Sequence, residues 1–219
     1  MLVREADHPL PPLHAVTDDA VIARPEFVRS VAAVLDAGGA DVALHLRAPG
    51  ASGRRMHGLA VWLMELARTT RSWLIVNDRV DVALAAGAHG VQLGRRSIVP
   101  ADARELVGVG MRIGVSVHSA DEAREAVEAG ADWLLAGSVY PTASHPGRPG
   151  AGTGLIESAA ARGVAVIGIG GVTPERVREV SDAGAAGIAA IRGIWDHPSP
   201  GRAARTYIEA WQSCRRPRR

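Results

Sequence analysis

The feature that most constrains the fold of this chain is an alternation that repeats eight times along it. In each repeat a short run rich in Val, Ile, Leu and Ala is followed by an amphipathic stretch, which usually ends in Gly or Gly-Ala before the next apolar run. The apolar runs show no regular polar alternation, which is typical of parallel strands buried on both faces. The predicted strands are Leu13–Val16, Val42–Leu46, Trp73–Val76, Gly90–Leu93, Met111–Val115, Trp133–Leu135, Val164–Ile169 and Gly187–Ala190.

Strands separated by helices pair in parallel through right-handed crossovers. Eight evenly spaced units without a second domain predict an α/β fold, a single (β/α)8 TIM barrel, with a doubly wound open sheet as the alternative. We expect residues 1–12 to form an N-terminal leader, residues 13–213 the barrel domain and residues 214–219 a basic C-terminal tail.

The composition and the lack of a targeting or membrane segment predict a cytoplasmic protein that does not bind nucleic acid. Hydrophobic residues make up 47% and charged residues 22% of the chain, an ordinary balance for a soluble domain. Four of the last five residues are arginines, which we interpret as a solvated terminus and not as a nucleic-acid surface. Cys214 is the only cysteine, so the chain can form neither an internal disulfide nor a cysteine metal site. No apolar run approaches the ~18 residues of a membrane span, and the first residues lack a signal-peptide core, so we expect no membrane partner.

In such a barrel, functional groups collect in the loops that follow the strands. The segment Ile167-Gly-Ile-Gly-Gly-Val172 leads into Thr173-Pro174, which predicts a helix over 174–183 capped by Thr173. Gly170 and Gly171 would let backbone N–H groups approach an anion, and Ile191 and Arg192 follow the eighth strand. This pattern predicts a phosphate site after strands seven and eight. The alternative is a tight turn that needs glycine for steric reasons alone.

The loop 140–150 is long and rich in Pro and Gly. Thr142, Ser144, His145 and Arg148 could close over an anion as a lid, although an ordinary surface loop has the same composition.

Asp78 follows the third strand and could hold Mg²⁺. A divalent ion on a diphosphate usually draws on further carboxylates, so we favour the alternative that Asp78 pairs with Arg79 or caps the next helix. Histidine has a pKa near neutrality and is the natural acid or base. Of the eight histidines, His45, His118 and His145 lie at the predicted functional end and are the catalytic candidates.

From Leu13 to Trp195 the chain resembles the thiamine phosphate synthase/TenI superfamily. The phrases that carry the resemblance are LHAVTDD, ALHLR, LIVNDRVDVALAAGAHGVQLG, GVSVHSADEAREAVEAGADWLLAGSVYPT and VIGIGGVTPERVREVSDAGAAGIAAIRGIW. The resemblance implies a barrel that binds a thiazole phosphate in the loops after strands seven and eight. It also suggests a homo-oligomer.

The synthase branch joins a pyrimidine diphosphate to the thiazole phosphate and releases diphosphate, with Mg²⁺. Its Gln-Leu-Arg-Glu-Lys is here His45-Leu-Arg47-Ala-Pro, and its His-Leu-Gly-Gln-x-Asp is here Gln92-Leu-Gly-Arg-Arg-Ser97. Its Pro-Thr-x-Thr-Lys is here Pro-Thr-Ala-Ser144-His145. One metal carboxylate and two lysines are therefore replaced.

The TenI branch tautomerises a thiazole carboxylate phosphate, a proton shift that needs no metal. Its catalytic His lies in Gly-His-Val-Phe, which is Gly137-Ser138-Val-Tyr140 here. We favour a metal-independent TenI-like tautomerase without cofactor, in which one of the three candidate histidines is the base. The alternatives are a divergent synthase with Mg²⁺ at Asp78, and a non-catalytic regulator that binds a phosphorylated heterocycle. The predicted substrate-binding residues are Arg47, Asn77, Gln92, Arg95, Ser116, Ser138, Thr142 and Ser144.

Overall fold

A computed structural model of the chain describes residues 9–142, 147 and 149–215. Eight parallel strands close into a barrel in sequence order. The strands are β1 (Leu13–Val16), β2 (Val42–Leu46), β3 (Trp73–Asn77), β4 (Gly90–Leu93), β5 (Arg112–Val117), β6 (Trp133–Gly137), β7 (Ala165–Ile169) and β8 (Gly187–Ala190). Leu13 of β1 pairs with Val42 of β2 on one side and with Ile188 of β8 on the other, which closes the sheet. The predicted single (β/α)8 barrel is confirmed.

Ten α-helices are found in the part of the chain that the structure describes. They are α1 (Asp19–Ile22), α2 (Phe27–Gly38), α3 (Gly53–Thr70), α4 (Val80–Ala86), α5 (Pro100–Val107), α6 (Ala120–Glu128), α7 (Gly154–Ala160), α8 (Val177–Asp182), α9 (Arg192–Trp195) and α10 (Pro200–Arg215). Over the described residues, no helix combines the length and the apolar character that crossing a membrane would require.

Several predicted boundaries differ from the structure, among them two in the C-terminal part of the chain. The helix expected over 174–183 is a 3-10 turn, Pro174–Arg176, followed by α8, and the side chain of Thr173 makes no capping hydrogen bond. Helix α10 continues to Arg215, two residues beyond the expected end of the barrel domain at 213.

The strands separate two buried layers because their side chains alternate between the two faces of the sheet. Leu13, Leu44 and Val91 face outward and pack with the helices, whereas Val16, Ile75 and Leu135 belong to a smaller cluster inside the barrel.

Trp133 is the largest of the fully buried side chains and lies inside the barrel. Its indole fits because β5 carries glycine beside it: a Cβ on Gly114 would lie 2.1 Å from a ring atom of Trp133. The Nε1–H of Trp133 donates to the side-chain oxygen of Gln92 at 2.9 Å. The interior is therefore a packed core, and a ligand has room only at the ends of the strands.

Candidate functional site

A cavity of about 590 Å³ lies at the carboxyl ends of the strands. Every one of the eight strands or its following loop contributes to the wall, from Val16 at the end of β1 to Gly193 after β8. Parallel strands place all these loops at one end of the barrel, which is where enzymes of this architecture bind their ligands.

The loops after β7 and β8 form one side of the cavity. Gly170 and Gly171 have φ angles of 97° and 65°, in the left-handed region that favours glycine. A Cβ on Gly170 would lie 2.7 Å from Cα of Ser138, and a Cβ on Gly171 would lie 2.7 Å from the carbonyl oxygen of Pro141. Both positions therefore require glycine. Ile191 and Arg192 face the same space, so the backbone and one guanidinium group surround a site suited to a phosphate.

The C-terminal helix α10 supports the loops after β7 and β8. Tyr207 of α10 lines the cavity, and its hydroxyl donates to the carbonyl oxygen of Val172 at 3.0 Å. A Cβ on Gly193 would lie 2.2 Å from the same hydroxyl oxygen, so the loop after β8 packs directly on it. Burial raises the pKa of Tyr207 to about 12, which keeps the hydroxyl protonated as a donor. One side chain thus holds both glycine loops.

Arginines line the opposite side of the cavity. Arg47 follows β2, whereas Arg95 and Arg96 follow β4. Arg95 forms an ion pair with Glu122 at 2.8 Å. Arg47 and Arg96 form no ion pair with any residue that the structure describes. Two guanidinium groups without an acidic partner make this side attractive to a second anion.

Asp78 also lies on this side, with φ of 64°, an uncommon conformation for a residue other than glycine. Its Oδ1 accepts hydrogen bonds from the hydroxyl of Ser97 at 2.5 Å and from the backbone N–H of Gly94 at 3.2 Å. The expectation that Asp78 pairs with Arg79 or caps the next helix is wrong, because Arg79 forms an ion pair with Asp81 and α4 has no side-chain cap. Asp78 instead holds the loop after β4.

The donor set does not form a metal site by itself. Among the residues that the structure describes, no group of three or more His, Cys, Asp or Glu side chains is placed to hold a metal ion. Asp78 offers one carboxylate, one of whose oxygens already accepts two hydrogen bonds, and Arg47, Arg95 and Arg96 line the same side. Positive charges nearby disfavour a further cation.

Of the catalytic candidates within the residues that the structure describes, His118 is the one that reaches the cavity. Its Nδ1 is hydrogen-bonded to the carbonyl oxygen of Gly137, which fixes the ring. Its backbone N–H donates to Glu122 at 2.6 Å. Ser119 caps α6, since its hydroxyl accepts from the backbone N–H of Glu122 at 3.1 Å.

His45 does not reach the cavity. Its side chain is fully buried inside the barrel, where it hydrogen-bonds to His14 and Asn77. The structure therefore does not place His45 where a catalytic base would contact substrate. Arg47, two residues further along the chain, lies beyond the end of β2 and lines the cavity.

Gln92 is likewise buried inside the barrel and does not line the cavity. Its side-chain nitrogen donates to the hydroxyl of Ser116 at 3.1 Å, so Gln92 supports a cavity residue and does not contact a ligand itself.

The other predicted residues divide into two groups. Those that line the cavity are Arg47, Asn77, Asp78, Arg95, Ser116, His118, Ser138, Thr142, Gly170, Gly171, Ile191 and Arg192. Ser144, His145 and Arg148 lie outside the described residues, so the lid hypothesis stays a prediction. The cavity residues to which the sequence assigned no role include Asp18, Arg96 and Tyr207. Asp18 and Arg96 follow β1 and β4 directly, so their positions at the functional end are visible in the sequence.

Fold and cavity together define a (β/α)8 barrel with a cavity at the carboxyl ends of its strands. Comparison with known proteins narrows this class. Residues 13–194 match the family described as "Thiamine monophosphate synthase". The chain therefore belongs to the thiamine monophosphate synthase family.

Two curated relatives and one solved structure agree with this assignment. The chain is 39% identical over 173 residues to the "Thiamine-phosphate synthase" of Chlorobium phaeovibrioides, covering 78% of this chain and 82% of the relative. It is 43% identical over 152 residues to the "Thiamine biosynthesis bifunctional protein ThiM/ThiE" of Symbiobacterium thermophilum, covering 68% of this chain and 32% of that longer protein. The structure of "Thiamine phosphate pyrophosphorylase" from Pyrococcus furiosus superposes with a TM-score of 0.83 at 31% identity, covering 95% and 98% of the two chains.

Proposed function

We propose that this protein is a thiamine-phosphate synthase, a transferase that joins a pyrimidine diphosphate to a thiazole phosphate and releases diphosphate. The observation that carries the proposal is that the cavity has anion-binding groups on two opposite sides. Arg96 follows β4 and Arg192 follows β8, four strands apart in an eight-stranded barrel. A reaction between a diphosphate and a phosphate needs two such sides. The paired guanidinium groups of Arg47 and Arg96 match the larger charge of a diphosphate better than the single carboxylate that the tautomerase substrate would place there.

The sequence alone favoured the tautomerase, and the comparisons favour the synthase instead. The relative from Chlorobium phaeovibrioides is named a thiamine-phosphate synthase, and the solved structure from Pyrococcus furiosus is named a thiamine phosphate pyrophosphorylase. Ser138 stands where the tautomerase branch has its histidine, and a serine hydroxyl is a poor base at neutral pH. Both observations support the synthase.

The residues divide the work of this reaction between the two sides. Gly170, Gly171 and Arg192 would hold the phosphate of the thiazole, and Arg47 and Arg96 would hold the diphosphate. Loss of diphosphate leaves a cationic pyrimidine methylene carbon, to which the thiazole nitrogen forms the new bond. The guanidinium groups stabilise the negative charge that develops on the leaving group, and the packed barrel interior keeps water away from one face of the cation.

Magnesium, which the family resemblance implies, would add positive charge to the diphosphate when bound. The donor set described above does not hold the ion by itself, so we assign it no step.

The deciding experiment offers the purified protein both sets of substrates. Incubation with the pyrimidine diphosphate and the thiazole phosphate should form thiamine phosphate and diphosphate in equal amounts. Chromatography measures the thiamine phosphate, and a diphosphate assay measures the leaving group. Conversion of the thiazole carboxylate phosphate tautomer without any thiamine phosphate would contradict the synthase and restore the tautomerase. Binding of the thiazole phosphate with neither reaction would favour a regulator.

A further inference from the structure

The side of the cavity formed by the loops after β2, β3 and β4 carries more positive than negative charge. These loops contribute Arg47, Arg95 and Arg96 and one acidic side chain, Asp78. Asp18, after the neighbouring β1, also lines the cavity and accepts a hydrogen bond from the backbone N–H of Val21 as the cap of α1. Glu122 neutralises Arg95 from outside the cavity wall. Arg47 and Arg96 are left without an acidic partner among the described residues.

Asp78 has a structural task on this side. Its Oδ1 ties together the two ends of the short turn after β4, through Gly94 and Ser97. The turn is also closed by a backbone hydrogen bond from Ser97 to Gly94 at 3.0 Å. Arg95 and Arg96 are the two residues inside this turn. The carboxylate therefore presents the two arginines to the cavity.

A bound Mg²⁺ in a phosphate site is held by one or two carboxylates together with phosphate oxygens and water. Here a hydroxyl, that of Ser97, lies 2.5 Å from the one carboxylate, at a position where a second carboxylate would be needed to strengthen the site. Guanidinium groups supply the positive charge of the same region and donate paired hydrogen bonds that match phosphate oxygens.

We propose that the diphosphate group binds on this side directly to the guanidinium groups of Arg47 and Arg96, without a metal ion, and that Asp78 positions the arginine turn. This inference rests on the proposed function, because it names how that reaction's leaving group is held. It assigns to Arg96 the charge neutralisation for which the family resemblance implies Mg²⁺.

The test uses inorganic diphosphate as the probe and isothermal titration calorimetry with the purified full-length chain. Diphosphate should bind in EDTA, and excess Mg²⁺ should not strengthen the binding, because Mg²⁺ itself binds the free diphosphate oxygens. Arg96→Met and Arg47→Met should each weaken binding by about tenfold or more, because each removes a charge-assisted hydrogen-bonding pair. Arg205→Met is the matched control, since Arg205 is exposed on α10 and does not line the cavity.

Two further variants, one at Asp78 and one at Ser97, distinguish metal-free binding of diphosphate from binding through Mg²⁺. Asp78→Asn keeps an oxygen that accepts from Ser97, so binding in EDTA should persist. Ser97→Asp places a second carboxylate beside Asp78 and should make diphosphate binding depend on Mg²⁺. Diphosphate binding by the unmodified chain that requires Mg²⁺ and is lost in Asp78→Asn would overturn the proposal. The probe is not turned over, so intact binding with no thiamine phosphate formed would count against the proposed function alone.

Discussion

The imidazole rings of His14 and His45 are hydrogen-bonded to each other inside the barrel, with Nδ1 of His14 2.8 Å from Nε2 of His45. The other ring nitrogen of His45 lies 3.2 Å from the side-chain oxygen of Asn77. Asn77 lines the cavity, so a chain of three polar side chains runs from β1 through β2 to the site. Buried polar groups are tolerated inside a protein when they are hydrogen-bonded in this way.

This pair predicts a loss of stability in mild acid. Burial lowers the pKa of His45 to about 4 and that of His14 well below its ordinary value of 6.5. The unfolded chain therefore binds more protons than the folded chain below pH 6.5, and the free energy of unfolding falls as the pH drops towards 4. For His45 alone the loss is on the order of 3 kcal/mol.

Urea denaturation at several pH values between 7.5 and 4 measures this effect. In His45→Gln the side chain at position 45 no longer titrates in this range, so the free energy of unfolding of the variant should fall less steeply as the pH drops. Equal slopes for the two proteins would show that His45 does not stay neutral in the fold.

Replacing Gly170 with alanine should selectively weaken phosphate binding. In Gly170→Ala the new Cβ meets the backbone of Ser138 at 2.7 Å and the φ of 97° becomes strained. We expect the dissociation constant of the thiazole phosphate to rise by about tenfold or more, because a shift of the loop misplaces its N–H groups. Gly130→Ala is the control: its φ is 86°, with no atom within 4 Å of the added Cβ. A similar loss in both variants, measured by calorimetry, would point to strain alone.

The contact between Gly114 and Trp133 predicts a steric loss of stability. Gly114→Ala would place a methyl group 2.1 Å from the indole, and overpacking of this kind costs about 2 to 3 kcal/mol. The melting temperature should fall by ~5–10 °C in a chain of this size. Gly58→Ala on α3, where nothing lies within 4 Å of the added Cβ, should raise the melting temperature slightly, since alanine favours a helix. Melting at an unchanged temperature in Gly114→Ala would mean that Trp133 can move aside.

Removing the hydroxyl of Tyr207 should slightly lower both the stability of the fold and the affinity for the thiazole phosphate. Tyr207→Phe removes the donor to the carbonyl oxygen of Val172 and leaves that oxygen unpaired, at a cost of about 1 kcal/mol in the free energy of unfolding. We expect a several-fold weaker affinity for the thiazole phosphate, whereas Thr206→Ala, one residue away on the exposed face of α10, should bind normally. Unchanged affinity in Tyr207→Phe would show that the loops hold their shape without this hydrogen bond.

The sequence was informative about the fold because the barrel depends on a repeated pattern. Several strand starts, including Leu13, Val42 and Trp73, agree with the structure, since each apolar run begins abruptly after a turn. Strand ends were less predictable. Strand β5 was expected to stop at Val115 but continues to Val117 through the polar Ser116, which faces the cavity.

The same uncertainty about strand ends explains why two buried residues were predicted to contact a ligand. His45 and Gln92 each lie one residue before the end of their strands, and the alternation of the strand turns both side chains into the barrel. Arg47, just beyond the end of β2, reaches the cavity. A shift of one or two residues in a predicted boundary therefore decides between a packed side chain and a ligand contact. Tyr207 could not have been found in this way, because it lies 35 residues from its partner Val172.

The hydrogen bond from Tyr207 to Val172 also bears on the order in which the protein becomes active during synthesis. The phosphate side of the cavity is built from loops after β7 and β8, but α10, the last helix of the described chain, packs beneath them. A ribosome that has released all eight strands still holds back the residues that fix these loops. A growing chain should therefore become able to retain a phosphorylated ligand only after α10 has emerged and docked.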